Sequence, residues 1–274
     1  MIAKTVSAAK YALLSFRRNP AATFFTVVFP VMFLVIFGFV FGNENIESDG
    51  NTVKVATFIV PGILTLSIVS ATFVNLAMGQ VFRREFGQLK RLRGTPLSPL
   101  AYMIGQILAS LVIVVFMTIL VTIIGRVFFG VTFNLSSIGV FALSVGIGSM
   151  AFSALGLSVT AIIPNQDSAP AFTNAMVFPL YFVSDVFFFS EEESTGFFSK
   201  VGDVFPIKPL NESLRDSYNP FIESVSVPWS KWAVVAAWGL FGVLAAVKFF
   251  KWTPQNRTTL TPRRRRHIAE QTRR

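Results

Sequence analysis

Long uncharged, apolar stretches separated by short charged ones run the length of this chain, and their lengths predict about six membrane-crossing helices. A bilayer core takes about 20 apolar residues of helix. Residues 21–42 give 22 positions without a charge, and residues 55–82 a further 28, with Pro61-Gly62 near the start. The uncharged run 94–125 places a third span at about 102–124, and the run between Arg126 and Asp167 a fourth at about 138–163. A fifth, at about 169–189, carries Asp185 near its end. The sixth, at about 229–250, is bordered by Lys231, Lys248 and Lys251, whose long stems let the ammonium groups reach the interfaces. The first span is too long for a signal peptide and has no small-residue cleavage site after it, so it reads as a retained helix.

Two further segments show periodicity without the length to cross. Ile2, Val6, Ala9, Leu13 and Phe16 recur at helical spacing, with Lys4, Lys10 and Arg17 on other faces. That pattern predicts a short helix lying in the membrane interface, turned into the bilayer at Pro20. Residues 190–228 are too apolar for an exposed loop and too long for a turn. Backbone at membrane depth must satisfy its own hydrogen bonds, so one or two short helices dipping back into the outer leaflet are expected there. The predicted fold is therefore an all-α integral membrane protein with six transmembrane helices, an N-terminal interfacial helix and short extracellular re-entrant helices before the last span. Residues 1–254 form one transmembrane domain and residues 255–274 a basic cytoplasmic tail. No internal repeat of the kind that marks many secondary transporters is visible.

Charge placement orients these spans. The N-terminal segment, the loop after the second span and the C-terminal end hold 18 of the lysines and arginines against three acidic residues. The opposite side holds six basic residues against 11 acidic ones. Basic residues stay in the cytoplasm, so both termini are cytoplasmic, as an even number of spans also requires. The expected location is the plasma (inner) membrane. The formal net charge of +10 accordingly does not indicate nucleic acid. The arginine-rich stretch 263–267 reads as a contact with anionic lipid headgroups.

Composition narrows the chemistry. Only 14% of residues are charged and 53% are apolar, whereas soluble domains carry roughly 25% charged residues. Cysteine is absent and His267 is the single histidine, which removes disulfides, thiolate metal sites, cysteine nucleophiles and histidine triads. No cofactor site is expected in this chain. The glutamates at 191–193 read as a solvated outer face, because adjacent acids in a loop define no coordination geometry. The phenylalanines read as lipid-facing or interhelical packing, and Ala142, Gly146, Gly148, Ser153, Ala154, Gly156 and Ser158 suit the fourth span to close helix packing.

The cytoplasmic segment 83–100 reads RREFGQLKRLRGTPLSPL. Positive-inside placement accounts for its charges but not for Gly87 or Gly94-Thr95-Pro96. In the order Glu85, Gly87, Leu89, Arg91, Leu92, Thr95, Pro96 and Leu97, it resembles the permease subunits of type-2 ABC transporters, exporters of drugs, lipids and polysaccharides. Lys90 stands where an acidic residue is common and Phe86 where a basic one is. The likeness extends to Pro61-Gly62, Gly156-Leu157, Asn165, Asn174, Pro179 and Ser184, and to Pro206, Pro209, Leu214 and Arg215. Asp185 departs from it, since a glycine usually follows that serine.

The resemblance implies that Glu85, Gly87, Leu89, Lys90, Arg91, Leu92, Thr95 and Pro96 form a coupling helix seated in a cleft of a cytoplasmic ATPase, with the N-terminal helix against the same subunit. No GxxxxGK[ST] phosphate loop occurs in the chain, so ATP and Mg would be held by the partner. The family pattern is two ATPase subunits and two permease copies, here expected to be identical. Hydrophobic drugs, lipids or glycolipids are the implied cargo, with drug efflux the default. Asp185 is a candidate pathway residue, because ionisable groups at membrane depth are costly. Its place near the outer end of the span favours a solvated or hydrogen-bonded structural role instead. The alternative to an exporter subunit is an ion-coupled secondary transporter, which usually needs ionisable residues in mid-membrane; none lies there. A membrane-embedded enzyme would need paired titratable groups in one site, and the sequence shows no such pair.

Overall fold

Proline, glycine and short polar side chains set the helix ends. The computed structural model describes residues 2–48, 51–95, 97–186, 197–221 and 226–249. Helix α1 (Ile2–Arg17) gives way at Asn19, whose extended backbone and side chain cap the next helix by accepting from the Ala22 N–H at 3.2 Å. Pro20 then occupies the first turn of α2 (Pro20–Val40), where its missing N–H costs nothing. A hairpin of β1 (Asn45–Ser48) and β2 (Asn51–Lys54) follows, paired antiparallel with Asn45 opposite Lys54 and Ser48 opposite Asn51. This hairpin is the one departure from an all-α fold among the described residues. Helix α3 (Ala56–Glu85) leads through Gly87 to the short α4 (Gln88–Arg93). Ser98 accepts from the Ala101 N–H and starts α5 (Pro99–Phe129), which stops at Gly130 in the left-handed region.

Helices α6 (Ile138–Val159), α7 (Ala169–Val183), α8 (Phe197–Val204), α9 (Ile207–Arg215) and α10 (Trp229–Phe249) complete the order. Helices α3 and α5 extend beyond the uncharged runs that mark the expected spans. Arg83 and Arg84 belong to α3, and α5 runs from Pro99 to Phe129 instead of 102–124.

Helix α3 is the axis of the structure. Its most apolar stretch is 89% buried, against 22% for α2, 33% for α5 and 28% for α10. Helices α2, α5, α6, α7 and α9 surround it, and their outer faces display Val112, Phe116, Ile119 and Ile123 of α5 and Leu240, Leu244 and Val247 of α10. A continuous apolar surface of this kind is not stable against water. Five helices (α2, α3, α5, the segment Leu135–Val159 containing α6, and α10) are long and apolar enough to cross a bilayer. The chain is thus a multi-pass membrane protein. Helix α7, at 15 residues, spans about 22 Å at the α-helical rise, short of the ~30 Å hydrocarbon core.

Small residues bring α6 and α10 together, as the composition of the fourth span suggests. A Cβ at Gly239 would lie 2.9 Å from that of Ala151, and one at Gly242 would lie 2.7 Å from the Leu155 nitrogen. Across the helix, a Cβ at Gly156 would meet the Phe73 carbonyl of α3 at 2.7 Å. Trp232 adds a polar tie, donating from Nε1 to the Ser144 hydroxyl at 2.8 Å. Gly242→Leu is expected to wedge the two helices apart at a cost of about 1–3 kcal/mol. A lowered thermal midpoint of the detergent-solubilised chain would register it, and an unchanged midpoint would contradict this packing.

Helix α9 does not lie on the surface. Ile207, Leu210 and Leu214 are buried to 1% exposure or less, packed among α3, α6 and α10. Two short helices, α8 and α9, lie between residues 190 and 228, where one or two were expected. Residues 187–196 and the basic tail lie outside the described residues, together with the glutamates at 191–193.

Candidate functional site

The segment 83–100 highlighted in the sequence is built on one buried arginine. The turn after α6, which ends at Val159, presents the carbonyls of Thr160, Ile163 and Pro164 to the end of α3. Arg84, 1% exposed at the end of α3, reaches across to them: its guanidinium donates to the carbonyls of Thr160 and Ile163 at 2.7 Å each and to that of Pro164 at 3.4 Å. The same guanidinium donates to the Glu85 carboxylate at 3.1 Å. A cation at a helix C-terminus is favoured by the helix dipole, and here it also makes four hydrogen bonds. Glu85 is thereby held in place by its neighbour.

Beyond Glu85 the chain reverses. Gly87 has φ +69°, a conformation that side-chain-bearing residues rarely adopt. A Cβ there would meet nothing within 4 Å, so the glycine is required by backbone conformation and not by lack of space. The reversal launches α4, which Leu89 anchors at 1% exposure while Lys90 and Arg91 face outward and Leu92 is half-buried. The Thr95 hydroxyl closes the helix by donating to the Leu92 carbonyl at 2.7 Å. Phe86, at the tip of the reversal, is 64% exposed. Pro96 lies outside the described residues.

Helix α1 shares this surface. Thr5, Ala8 and Ala12 pack it against α5, where the absence of a side chain at Gly105 lets the helices touch. Ile2 and Val6 remain exposed, and Leu13 and Phe16 are half-buried. A groove of about 370 Å³ runs between Lys4, Ser7 and Tyr11 of α1 and Leu92, Thr95 and Leu97 of the α4 segment. The structure thus brings the periodic N-terminal helix and the 85–97 motif to one face. Sequence reasoning did not single out Arg84. The only signal was the Arg-Arg pair, and nothing in it says which arginine turns inward.

At the opposite end, Asp185 sits in a second polar cluster. Its φ of +51° explains why glycine would suit this position and how aspartate, which tolerates the left-handed region better than most residues, replaces it. Lys208, buried on α9, lies 3.7 Å from Asp185, 2.8 Å from Asp203 and 4.0 Å from Glu212. Glu212 also meets Lys231 of α10 at 3.2 Å. Asn211 donates to the Asp185 carbonyl at 3.4 Å and accepts from the Thr65 hydroxyl at 3.1 Å. A Cβ at Gly62 would lie 2.5 Å from the Val186 carbonyl, so Pro61-Gly62, the Ser184–Val186 turn and α9 converge on one point. Arg215 covers the Phe58 ring at 4.2 Å.

Asp185→Asn is expected to shift stability by less than about 1 kcal/mol, because asparagine accepts the same backbone and Lys208 keeps Asp203. A thermal-shift comparison checks this, and a large loss would mean the carboxylate carries more than its ion pair.

Among the described residues no cluster of histidine, cysteine, aspartate or glutamate could hold a metal ion. No curated protein matches the chain. Residues 4–219 match the ABC-2 type transporter family, described as ABC2_membrane. The match takes in the N-terminal helix, the Arg84–Leu97 segment and the α7–α9 region together. By its sequence over most of its length, this membrane chain belongs to the ABC-2 type transporter family.

Proposed function

We propose that the chain is the transmembrane permease subunit of an ATP-driven exporter, working with a separate ATPase that binds ATP and Mg. The observation that carries this is the build of the 84–95 segment. Arg84 ties the reversal to α6 and Leu89 plants α4 in the body, while Phe86, Lys90 and Arg91 stay exposed beside the groove formed with α1. A rigid, basic, partly apolar platform of this kind suits a cleft on a partner, and family membership indicates that the partner is an ABC ATPase. Movement of that partner would pass through Glu85–Arg84 to α3 and α6 at once.

Both termini and the platform are cytoplasmic in this reading, in the plasma (inner) membrane. Helix α7 with the turn after it serves as the fifth of six spans, α1 lies in the inner interface, and α8 and α9 re-enter from outside. Two copies of the chain, with two ATPase subunits, would enclose the path. The exposed apolar faces of α2 (Phe25, Ile36, Phe39) and α7 (Phe172, Phe178, Phe182) support such a pairing. Cargo is hydrophobic or amphipathic: a drug, lipid or glycolipid. Asp185 serves the outer cluster as a structural residue and not as a step in the pathway.

The test is transport of a lipophilic fluorescent dye in vesicles holding the reconstituted complex. The proposal predicts movement that needs ATP, stops when the partner's phosphate loop is disabled and ignores an uncoupler. Movement driven by a proton gradient without ATP would identify an ion-coupled secondary transporter instead.

A further inference from the structure

The same end of the bundle encloses a second cavity, distinct from the α4 groove and bordered at one edge by Phe86 and Gln88. It measures about 290 Å³ and opens between the end of α1, the first turn of α2, the last three turns of α3 and the first turns of α5. Its size sits at the lower end of small-molecule sites. Arg83, half-buried on α3, lines it, and no carboxylate does among the described residues. Arg83 donates to the Gln106 side-chain oxygen and, at 3.4 Å, to the Tyr102 hydroxyl. Tyr102 in turn donates to the Gln80 oxygen at 2.7 Å.

That chain of bonds fixes where the spare donors are. A guanidinium only donates, so Gln106 must turn its oxygen to Arg83 and its amide NH2 elsewhere. Gln106 is 2% exposed and Gln80 1% exposed, both line the cavity, and the Nε2 atoms of both are enclosed without a partner among the described residues, so a side-chain rotation is what turns them to a ligand. A buried amide left unpaired is costly. The site therefore combines one cation without a carboxylate partner, two buried unpaired amides and apolar walls from Leu76, Phe82 and Ile113. It has donors to offer and a positive charge to neutralise.

We propose that this cavity binds the phosphate of an anionic phospholipid from the cytoplasmic leaflet. Phosphate oxygens accept from guanidinium and amide donors together, and the apolar wall lets the glycerol and upper acyl chain follow. Arg17 and Arg18, exposed at the end of α1, add positive potential at the mouth and favour the anionic leaflet. The leaflet assignment rests on the orientation proposed above; the donor set does not.

The experiment titrates the purified full chain, in mild detergent and without any ATPase, with dioctanoyl phosphatidylglycerol. Dioctanoyl phosphatidylcholine and inorganic phosphate are titrated in parallel, and binding is read by native mass spectrometry. The expected result is saturable binding of the glycerol lipid, at least tenfold tighter than the choline lipid and than phosphate alone. Arg83→Gln and Gly79→Leu should each weaken it at least tenfold. Gly79 lines the cavity and its Cβ would meet nothing within 4 Å, so leucine there fills the space without disturbing the helix. That variant decides the question if Arg83→Gln fails to fold. Equal binding of both lipids, or binding unchanged in Gly79→Leu, overturns the proposal. Phosphate alone binding as tightly as the lipid would assign the site to a free anion and overturn the lipid source. No ATPase takes part, so a negative result leaves the permease reading intact, and loss of that reading would leave this result standing.

Discussion

Replacing Arg84 with methionine is expected to produce the largest stability loss of any single substitution around the 84–95 segment. Methionine fills much of the same volume but donates nothing. The carbonyls of Thr160 and Ile163, each accepting at 2.7 Å, would be left buried and unpaired. Hydrogen bonds to charged groups contribute about 1.5–3 kcal/mol each, so losing two gives a deficit on the order of 3–6 kcal/mol. Part of that deficit is the stranded Glu85 carboxylate, whose side chain is only 13% exposed. Thermal unfolding in detergent measures the total. Arg84→Lys, which keeps the charge but cannot span three carbonyls at once, should recover a minority of the loss. A methionine variant as stable as the parent would show that the end of α6 is held by something else.

The second large effect is functional and leaves the fold in place. Under the proposed coupling role, Gly87→Val is expected to abolish association with a partner ATPase and ATP-dependent transport while changing the thermal midpoint little. Valine is β-branched and resists φ +69°, so the reversal would open and α4 would leave its seat. The local cost is about 1–2 kcal/mol or more, borne by a peripheral six-residue helix and not by the core. Gly87→Asn provides the control, because asparagine is larger than alanine yet enters the left-handed region readily. Asparagine should retain most activity. If asparagine and valine fail equally, bulk at the partner surface and not backbone conformation is what Gly87 supplies.

Five long apolar helices were legible because lipid removes the need for polar residues, and an uncharged run of roughly 20 residues rarely survives at a water-facing surface. Helix α1 was legible from its period, although the face it turns to the protein is Thr5, Ala8 and Ala12, offset from the apolar residues that mark the pattern. The hairpin also had a signal: Asp49-Gly50 between Ile46 and Val53 is a common two-residue turn sequence. In a chain dominated by helical runs, two four-residue strands carry too little weight to stand out.

The polar interior was hidden for a different reason. Arginines near a membrane surface all satisfy the same positive-inside rule, so Arg83, Arg84 and Arg91 look alike in sequence. What separates them is the direction in which the end of α3 faces, and that depends on where α6 stops. Lys208 was equally opaque. A lysine in a Pro-rich apolar segment reads as a surface residue, yet α9 is buried and the lysine is compensated by Asp185, Asp203 and Glu212. Asp185 stood out as an ionisable group in a span and as a departure from a glycine, and the positive φ supplies the reason for the second.

The most direct measurement of the central claim is capture of the tagged chain from its native host in mild detergent, with co-purifying proteins identified and ATPase activity assayed. A stoichiometric partner that carries the phosphate-loop motif is the predicted result, present with the parent and Gly87→Asn chains and lost with Gly87→Val. Recovery of the intact, folded parent chain with no ATPase attached would contradict the account and turn attention to an ion-coupled carrier.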